Sequence, residues 1–376
     1  MLEDLKIGIL GGGQLGAMII RHAIDFGLDV SVMDKDKDAP CSRYTSSFTA
    51  ADPMNYDAVI KFGEHLHILT IEREAVNTSA LRALQQKGVK VFPSPDTIDI
   101  IKNKYVQKKF LIASGVAVVP GVAVSSKEDI RNNLHRFPCC LKKCTDGYDG
   151  YGVMILRNED DIEKAFEGDC LLEDMADIKH EISVIVSRNE NGQIECYNPI
   201  LMMFDNDKML LDFQLCPANI ERTTAIEACN IAIQVAKALN LVGIMAVEMF
   251  LTNDGKLLVN ELAPRPHNSG HHTIEASVTS QYEQQLRAIL GLPLGDTSIT
   301  YPSVMINILE PAIHRKKSLE NALKTILCTD SVHLHWYGKK GGKEGRKMGH
   351  ITVTDKNIED ALSKATMIRH LLKEQI

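Results

Sequence analysis

Residues Val259 to Thr273 read VNELAPRPHNSGHHT. An apolar run ends in an amide and a carboxylate, Asn260 and Glu261. The turn after it supplies Arg265, His267, His271 and His272 among two prolines and a glycine. Hard oxygen donors beside cationic and imidazole groups suit a charged, metal-bound substrate. The competing reading is a solvated polar loop. Three histidines also raise zinc, but no cysteine or carboxylate completes a tetrahedral set at the usual spacing.

The elements flanking this stretch sharpen the chemistry. Leu241 to Leu251 and Lys256 to Leu262 read as strands joined by Asn253-Asp254-Gly255, a hairpin signal. With Asp254 and Gly255 as the two central turn residues, Glu248 falls directly opposite Glu261, with β-carbons about 5 Å apart. Facing carboxylates on apolar strands repel, and a divalent cation removes the conflict. Oxygen-only ligands favour magnesium or manganese. Strand alternation points Asn260 to the other face, and a one-residue bulge would alter the register. In the competing reading, one glutamate is protonated or paired with Arg265.

Two glycine-rich turns and a basic one accompany this hairpin. Lys6 to Leu10 reads as a strand, Gly11-Gly12-Gly13-Gln14-Leu15-Gly16 as a turn entering a helix to about Phe26, and Asp29 to Met33 as a strand ending at Asp34. This pattern fits a dinucleotide fingerprint, or any group that approaches a helix N-terminus closely. His67 to Ile71 is a strand that ends in Glu72-Arg73-Glu74, at the sheet edge where ligands bind in such folds. Asp96 to Ser114 reads as one helix whose lysines, Lys102, Lys104, Lys108 and Lys109, are mostly solvated.

The strand Cys139 to Lys142 leads into Asp146 and then Gly147, Tyr148, Asp149, Gly150, Tyr151, Gly152 and Val153. Such a loop folds its amides over phosphates or is a plain hairpin, and Lys142 could reach the same phosphates. The strand Cys170 to Glu173 ends in an acid, and His180 to Val186 carries Glu181. Either glutamate could hold ribose hydroxyls or be an edge charge. Near the C-terminus, the strand Val332 to Tyr337 precedes the basic, glycine-rich Gly338 to His350, suited to a phosphate or to solvent. Asp360 to Leu372 reads as an amphipathic helix.

A chain of 376 residues suggests two or three domains. With 44% apolar and 24% charged residues, it has the composition of a soluble globular enzyme. A net charge of −7 argues against a nucleic-acid partner. The nine cysteines contain no Cys-x-x-Cys, and the N-terminus does not read as a secretory leader, so reduced thiols and a cytoplasmic location are expected. No apolar stretch approaches the ~18 residues of a membrane span.

The order of these parts resembles the ATP-grasp superfamily and, within it, the 5-(carboxyamino)imidazole ribonucleotide synthase family of purine biosynthesis. The resemblance rests on GGGQLG at Gly11–Gly16, TIERE at Thr70–Glu74, DGYDGYG at Asp146–Gly152, AVEMF at Ala246–Phe250, NELAPRPHNSGHHT at Asn260–Thr273, and HWYGK with GRKMGHITV near the end. It implies an α/β ATP-grasp fold with a Rossmann-like pre-ATP-grasp domain at 1–97, a lid subdomain at 98–190, a catalytic subdomain at 191–300 and a small β-rich part at 301–376. It implies ATP- and bicarbonate-dependent carboxylation of the exocyclic amine of 5-aminoimidazole ribonucleotide through carboxyphosphate, with Mg2+ (or Mn2+), by a homodimer without nucleic-acid or membrane partners.

Carried over by motif, Lys104 and Lys142 resemble the nucleotide-phosphate cations and Gly147 to Val153 the phosphate-covering loop. Glu173, Asp174, Met175 and Ala176 resemble the adenine edge, and Glu181 the ribose contact. Glu248 and Glu261, with Asn260, resemble the metal and ATP site. Gln14, Leu15 and Glu72 would touch the aminoimidazole nucleotide. Arg265, His267, Lys339, Arg346 and Lys347 would hold its phosphate or the bicarbonate end. The chain departs from the family pattern at Lys104, where arginine is common, at Thr145-Asp146, and at Met202, often glutamate.

Rival expectations are a nicotinamide-dependent oxidoreductase built on Gly11–Gly16, another ATP-grasp or formyl-transferring ligase, and a silent nucleotide-binding paralogue.

Overall fold

The computed structural model describes residues 4–145, 147, 152–204, 211–310, 316–340 and 345–375. Tyr148, Asp149, Gly150 and Tyr151 of the glycine loop lie outside the described residues, as does Asp146. Among the described residues the strands form three sheets. The first is parallel. It contains β1 (Ile7–Leu10), β2 (Val30–Asp34), β3 (Phe48–Ala50), β4 (Ile68–Ile71) and β5 (Lys90–Phe92), in the order β3-β2-β1-β4-β5. Its central strands β1 and β4 are short, apolar and buried on both faces, as parallel strands covered by helices must be. The order reverses between β1 and β4, so a crevice opens at their carboxyl ends, beside Gly11–Gly13 and Glu72.

A second, four-stranded sheet holds β6 (Gly121–Val124), β7 (Cys139–Lys143), β8 (Val153–Leu156) and β9 (Cys170–Asp174) in the order β6-β9-β7-β8. The third sheet begins with β10 (Ile178–Arg188), β11 (Ile194–Cys196), β12 (Ile200–Phe204) and β13 (Leu211–Cys216). It continues with β14 (Gly243–Thr252), β15 (Leu257–Ala263), β16 (Ser303–Leu309), β17 (Val332–Trp336) and β18 (Lys347–Thr354). The small-sheet unit is shorter than expected: β10 belongs to the large sheet, so that unit ends near Asp174 instead of at residue 190. The strands after residue 300 pair onto β13 and continue the catalytic sheet.

The expected single helix from Asp96 to Ser114 is two helices, Pro95–Ile101 and Lys104–Ala113. Asn103 causes the break. Its side-chain oxygen accepts from the amides of Tyr105 (3.0 Å) and Val106 (3.1 Å), a stronger local demand than helix continuation. The cap puts Lys104 at the start of the second helix, where its amide also donates to Cys144 O (2.9 Å). Lys104 is thereby tied to the end of β7. No described helix is long and apolar enough to cross a membrane.

Candidate active site between the two antiparallel sheets

The hairpin β14–β15 carries the acidic pair. Glu248 is opposite Glu261, and nearer the turn Met249 is opposite Val259 and Leu251 opposite Leu257. The turn is therefore three residues, Asn253 to Gly255, with Gly255 at φ 84°, where a side chain would be strained. That differs from the expected two-residue turn and by itself shifts the register by one. Asn260 restores it by bulging from β15. The bulge also overturns the expectation that Asn260 faces away. Its Oδ1 accepts from Lys142 Nζ at 2.8 Å, inside the cleft.

Four more polar groups meet the pair. Lys104 Nζ lies 2.6 Å from Glu261 Oε1. On β10, Ser183 is opposite Glu248, and Glu181, two residues earlier, shares its face. His267 Nε2 is 3.6 Å from Glu248 Oε1. Burial, then the neighbouring Glu261 and Glu181, pushes the Glu248 carboxyl up to about 8. Burial likewise raises Glu181. A half-exposed carboxylate pair held at this cost has the donor set of a hard dication site.

Deeper in the cleft Lys142 and Lys108 grip Glu173. Lys142 Nζ is 2.7 Å from Oε2 and Lys108 Nζ 2.6 Å from Oε1. Burial works against the charge on Glu173, but the two ammonium groups hold its carboxyl below the usual range. Lys108 is 6% exposed, contrary to the expectation of a solvated lysine. It stands one helical turn from Lys104, a spacing that signals a shared face. With its carboxylate so occupied, Glu173 offers a nucleotide edge only its backbone. Beyond it, Arg136 Nη1 meets Asp174 Oδ1 at 2.5 Å, and His135, Arg136, Pro138, Asp174 and Met175 line a cleft open to solvent. Gly152, at φ 84°, accepts from the Lys143 amide (2.8 Å) and turns the chain into β8, where Val153 pairs with Lys142.

At the N-terminal crevice the glycine amides already have partners. Gly12 N–H donates to Asp34 Oδ2 (2.7 Å) and Gly13 N–H to Glu72 Oε2 (2.5 Å). A Cβ on Gly13 would lie 2.3 Å from Glu72 Oε1. The glycines therefore admit an internal carboxylate and not a pyrophosphate, which removes the basis of the nicotinamide reading. Asp34 is also bonded by Arg73. Leu15 is 7% exposed and packs in the core of this unit, so its side chain does not face the crevice; Gln14 beside it is half-buried.

The loop after β15 is clamped from below. Gln281 accepts from the His267 amide (2.9 Å) and donates to the His267 carbonyl (2.8 Å). Gly270 permits this approach, since a Cβ there would sit 2.4 Å from Gln281 Oε1. Arg265 Nε lies 3.0 Å from Glu74 Oε1. His271 and His272 are buried structural groups. His271 Nδ1 is 2.6 Å from Tyr282 Oη, and its ring stacks on His350 at 4.4 Å. Among the described residues no group of three or more His, Cys, Asp or Glu forms a metal cluster. In the connection between β17 and β18, Lys339 Nζ donates to Lys347 O (2.8 Å), and Arg346 O accepts from the Glu310 amide (2.7 Å). Lys347 is close enough to Glu248 to lower its proton affinity. Ser183, Ser269 and Lys108 are the site residues that sequence reasoning missed. Small hydroxyls and a lysine among lysines carry little signal without the pairing register.

One small and one large antiparallel sheet with lysines and acids between them form the architecture of an ATP-grasp enzyme. Residues 109–282 match the model of the ATP-grasp domain. Residues 5–102 match the ribonucleotide synthetase preATP-grasp domain, and 303–364 the phosphoribosylaminoimidazole carboxylase C-terminal domain. The chain is 38% identical over 366 residues to N5-carboxyaminoimidazole ribonucleotide synthase of Bacillus subtilis, covering 96% of this chain and 94% of that protein. It superimposes on the Thermotoga maritima N5-carboxyaminoimidazole ribonucleotide synthetase with a TM-score of 0.88 at 38% identity, covering 98% of each chain. On the Aspergillus clavatus carboxyaminoimidazole ribonucleotide synthase complexed with ATP the TM-score is 0.94 at 30% identity, covering 100% of each. The chain belongs to the N5-carboxyaminoimidazole ribonucleotide synthase family of ATP-grasp ligases, which form a carbon–nitrogen bond.

Proposed function

We propose that the cleft carboxylates the exocyclic amine of 5-aminoimidazole ribonucleotide with bicarbonate, at the expense of ATP. The reaction class follows from family membership, and a relative from Aspergillus clavatus is known in complex with ADP and 5-aminoimidazole ribonucleotide. A bicarbonate oxygen attacks the γ-phosphorus, ADP leaves, and carboxyphosphate forms. The amine nitrogen then attacks its carbonyl carbon, phosphate leaves, and the nitrogen gives up a proton. The residues act by positioning and charge stabilisation, as phosphoryl transfer requires. Lys104 and Lys142 neutralise the phosphates, and Gly147 to Val153 covers them and excludes water from the labile intermediate. Arg265, His267, Lys339, Arg346 and Lys347 hold the acceptor's phosphate and the bicarbonate end, with Gln14 touching the aminoimidazole nucleotide and Glu72 nearby.

The observation that carries this reading is the facing pair Glu248 and Glu261 with Lys104 at 2.6 Å and Lys142 on Asn260. Glu248, pushed up to about 8 by burial and by its acidic neighbours, has the surroundings in which a dication would relieve the repulsion. Glu248 and Glu261 would hold Mg2+, which supplies charge neutralisation for the β- and γ-phosphates when bound. Assembly as a homodimer belongs to the same proposal. The test is ADP release with bicarbonate, with and without 5-aminoimidazole ribonucleotide. Strong stimulation by the nucleotide supports the reading, and tight NAD binding without ATP turnover overturns it.

A further inference from the structure

His267 is the one imidazole of the loop within reach of Glu248, and its far side meets Ser269. The Ser269 amide donates to His267 Nδ1 at 3.3 Å, and Ser269 Oγ is 2.9 Å from the same nitrogen. A backbone N–H only donates, so the nitrogen it faces carries a lone pair and not a hydrogen. In the neutral ring the proton is then on Nε2, the nitrogen 3.6 Å from Glu248 Oε1. Behind Ser269 stands Ser183, with their Oγ atoms 2.8 Å apart and the two residues 0% and 1% exposed. Ser183 is the cross-strand partner of Glu248, so the chain of contacts closes on the acid it started from.

The hydroxyl directions follow. Ser269 O–H donates to Nδ1 and Ser183 O–H donates to Ser269, each bond polarising the next. The Ser269 carbonyl sets the opposite tautomer one turn later. It lies 3.0 Å from His272 Nδ1, which must carry a hydrogen to reach an acceptor. One serine thus fixes two neighbouring histidines in two different tautomers.

We propose that Ser269, backed by Ser183, is a positioning residue that locks His267 as the Nε2–H tautomer, so that His267 faces the acceptor as a hydrogen-bond donor and not as the base. An Nε2–H suits a carboxylate or carbonyl oxygen, and the proton leaving the amine goes to another group. The consequence for the reaction rests on the placement of His267 at the acceptor proposed above; the tautomer does not.

Two measurements separate these. In the 15N-histidine-labelled protein at neutral pH, with His267→Asn assigning the signal, Nδ1 is expected to resonate as a bare nitrogen and Nε2 as a protonated one. The reverse assignment overturns the proposal. In kinetics, Ser269→Ala keeps the amide donor but loses the hydroxyl. An about tenfold fall in kcat with unchanged KM for ATP is expected, about the worth of one hydrogen bond. Ser183→Ala should give a smaller fall, and the double variant one no larger than Ser269→Ala alone. A double-variant loss equal to the product of the two singles overturns the chain of bonds. An unchanged kcat with the expected NMR result overturns the placement of His267 and leaves the tautomer standing.

Discussion

Glu248 and Glu261 face one another because Asn260 bulges from β15 between them and the turn. The same residue spends its side-chain oxygen on Lys142. One extra residue therefore both aligns the acidic pair and ties the hairpin to the small sheet, which brings Lys142 beside the acids. Bulges recur beside active sites for this reason.

Glu261→Gln keeps the size of the side chain and removes its charge. Its side chain is 44% exposed, so the fold should persist with a melting temperature within a few degrees. ADP release should fall by about 100-fold or more, since a group stabilising transition-state charge is lost. Normal turnover by this variant would remove the pair from the metal and phosphate chemistry.

Lys108→Met tests the missed lysine. Lys108 and Glu173 are both nearly sealed from solvent, and Lys108 also donates to the Val119 carbonyl. Removing it leaves Glu173 with Lys142 alone. Breaking a buried pair costs several kcal/mol, and the remaining partner should reduce that to about 2 kcal/mol. Urea denaturation measures it. A loss below about 0.5 kcal/mol, the size of a surface pair, would mean that Lys108 contributes as little as a solvated lysine.

Much of the site's scaffold was legible in the sequence, and the reason differs by element. β1, β4 and β14 announce themselves because buried strands are apolar runs bounded by glycine or acid. The facing of Glu248 and Glu261 was read correctly through two errors that cancel, a turn one residue too short and an unseen bulge. Register is a sum over the whole hairpin, so local turn chemistry alone does not fix it. The break at Asn103 was missed because the periodic apolar pattern runs through it, although Asn is a strong cap. Lys108, Ser183 and Ser269 were illegible for another reason. Their roles depend on partners 65, 86 and 2 residues away, and only the two-residue case is local.

The buried histidines give the stability a pH dependence. Burial lowers His272 to about 4, and burial with the neighbouring imidazoles lowers His271 and His350 well below the usual value. The folded state therefore takes up fewer protons than the unfolded chain between about pH 6.5 and 4. Stability from these groups is fully present above about 6.5 and is lost as pH falls toward 4. Thermal melts from pH 7.5 to 5 should show a decline that steepens below 6.5. His350→Gln should flatten part of it, and a flat profile in the parent protein would show these rings already titrate normally.

Gly13→Ala probes the crevice of the N-terminal unit. The new Cβ would lie 2.3 Å from Glu72 Oε1, and the end of that side chain is what must move. Moving it breaks the 2.5 Å bond from the Gly13 amide, leaving a helix N-terminus without its carboxylate. A loss of about 1 to 2 kcal/mol in stability is expected from that bond. With Glu72 displaced into the crevice, KM for 5-aminoimidazole ribonucleotide should rise about tenfold, the kinetic equivalent of the same energy. KM for ATP should not change, because the lysines and acids proposed to face it stand on β7, β14, β15 and the helix Lys104–Ala113. A rise confined to ATP would remove Glu72 from the acceptor site and leave it a purely structural cap on the glycine turn.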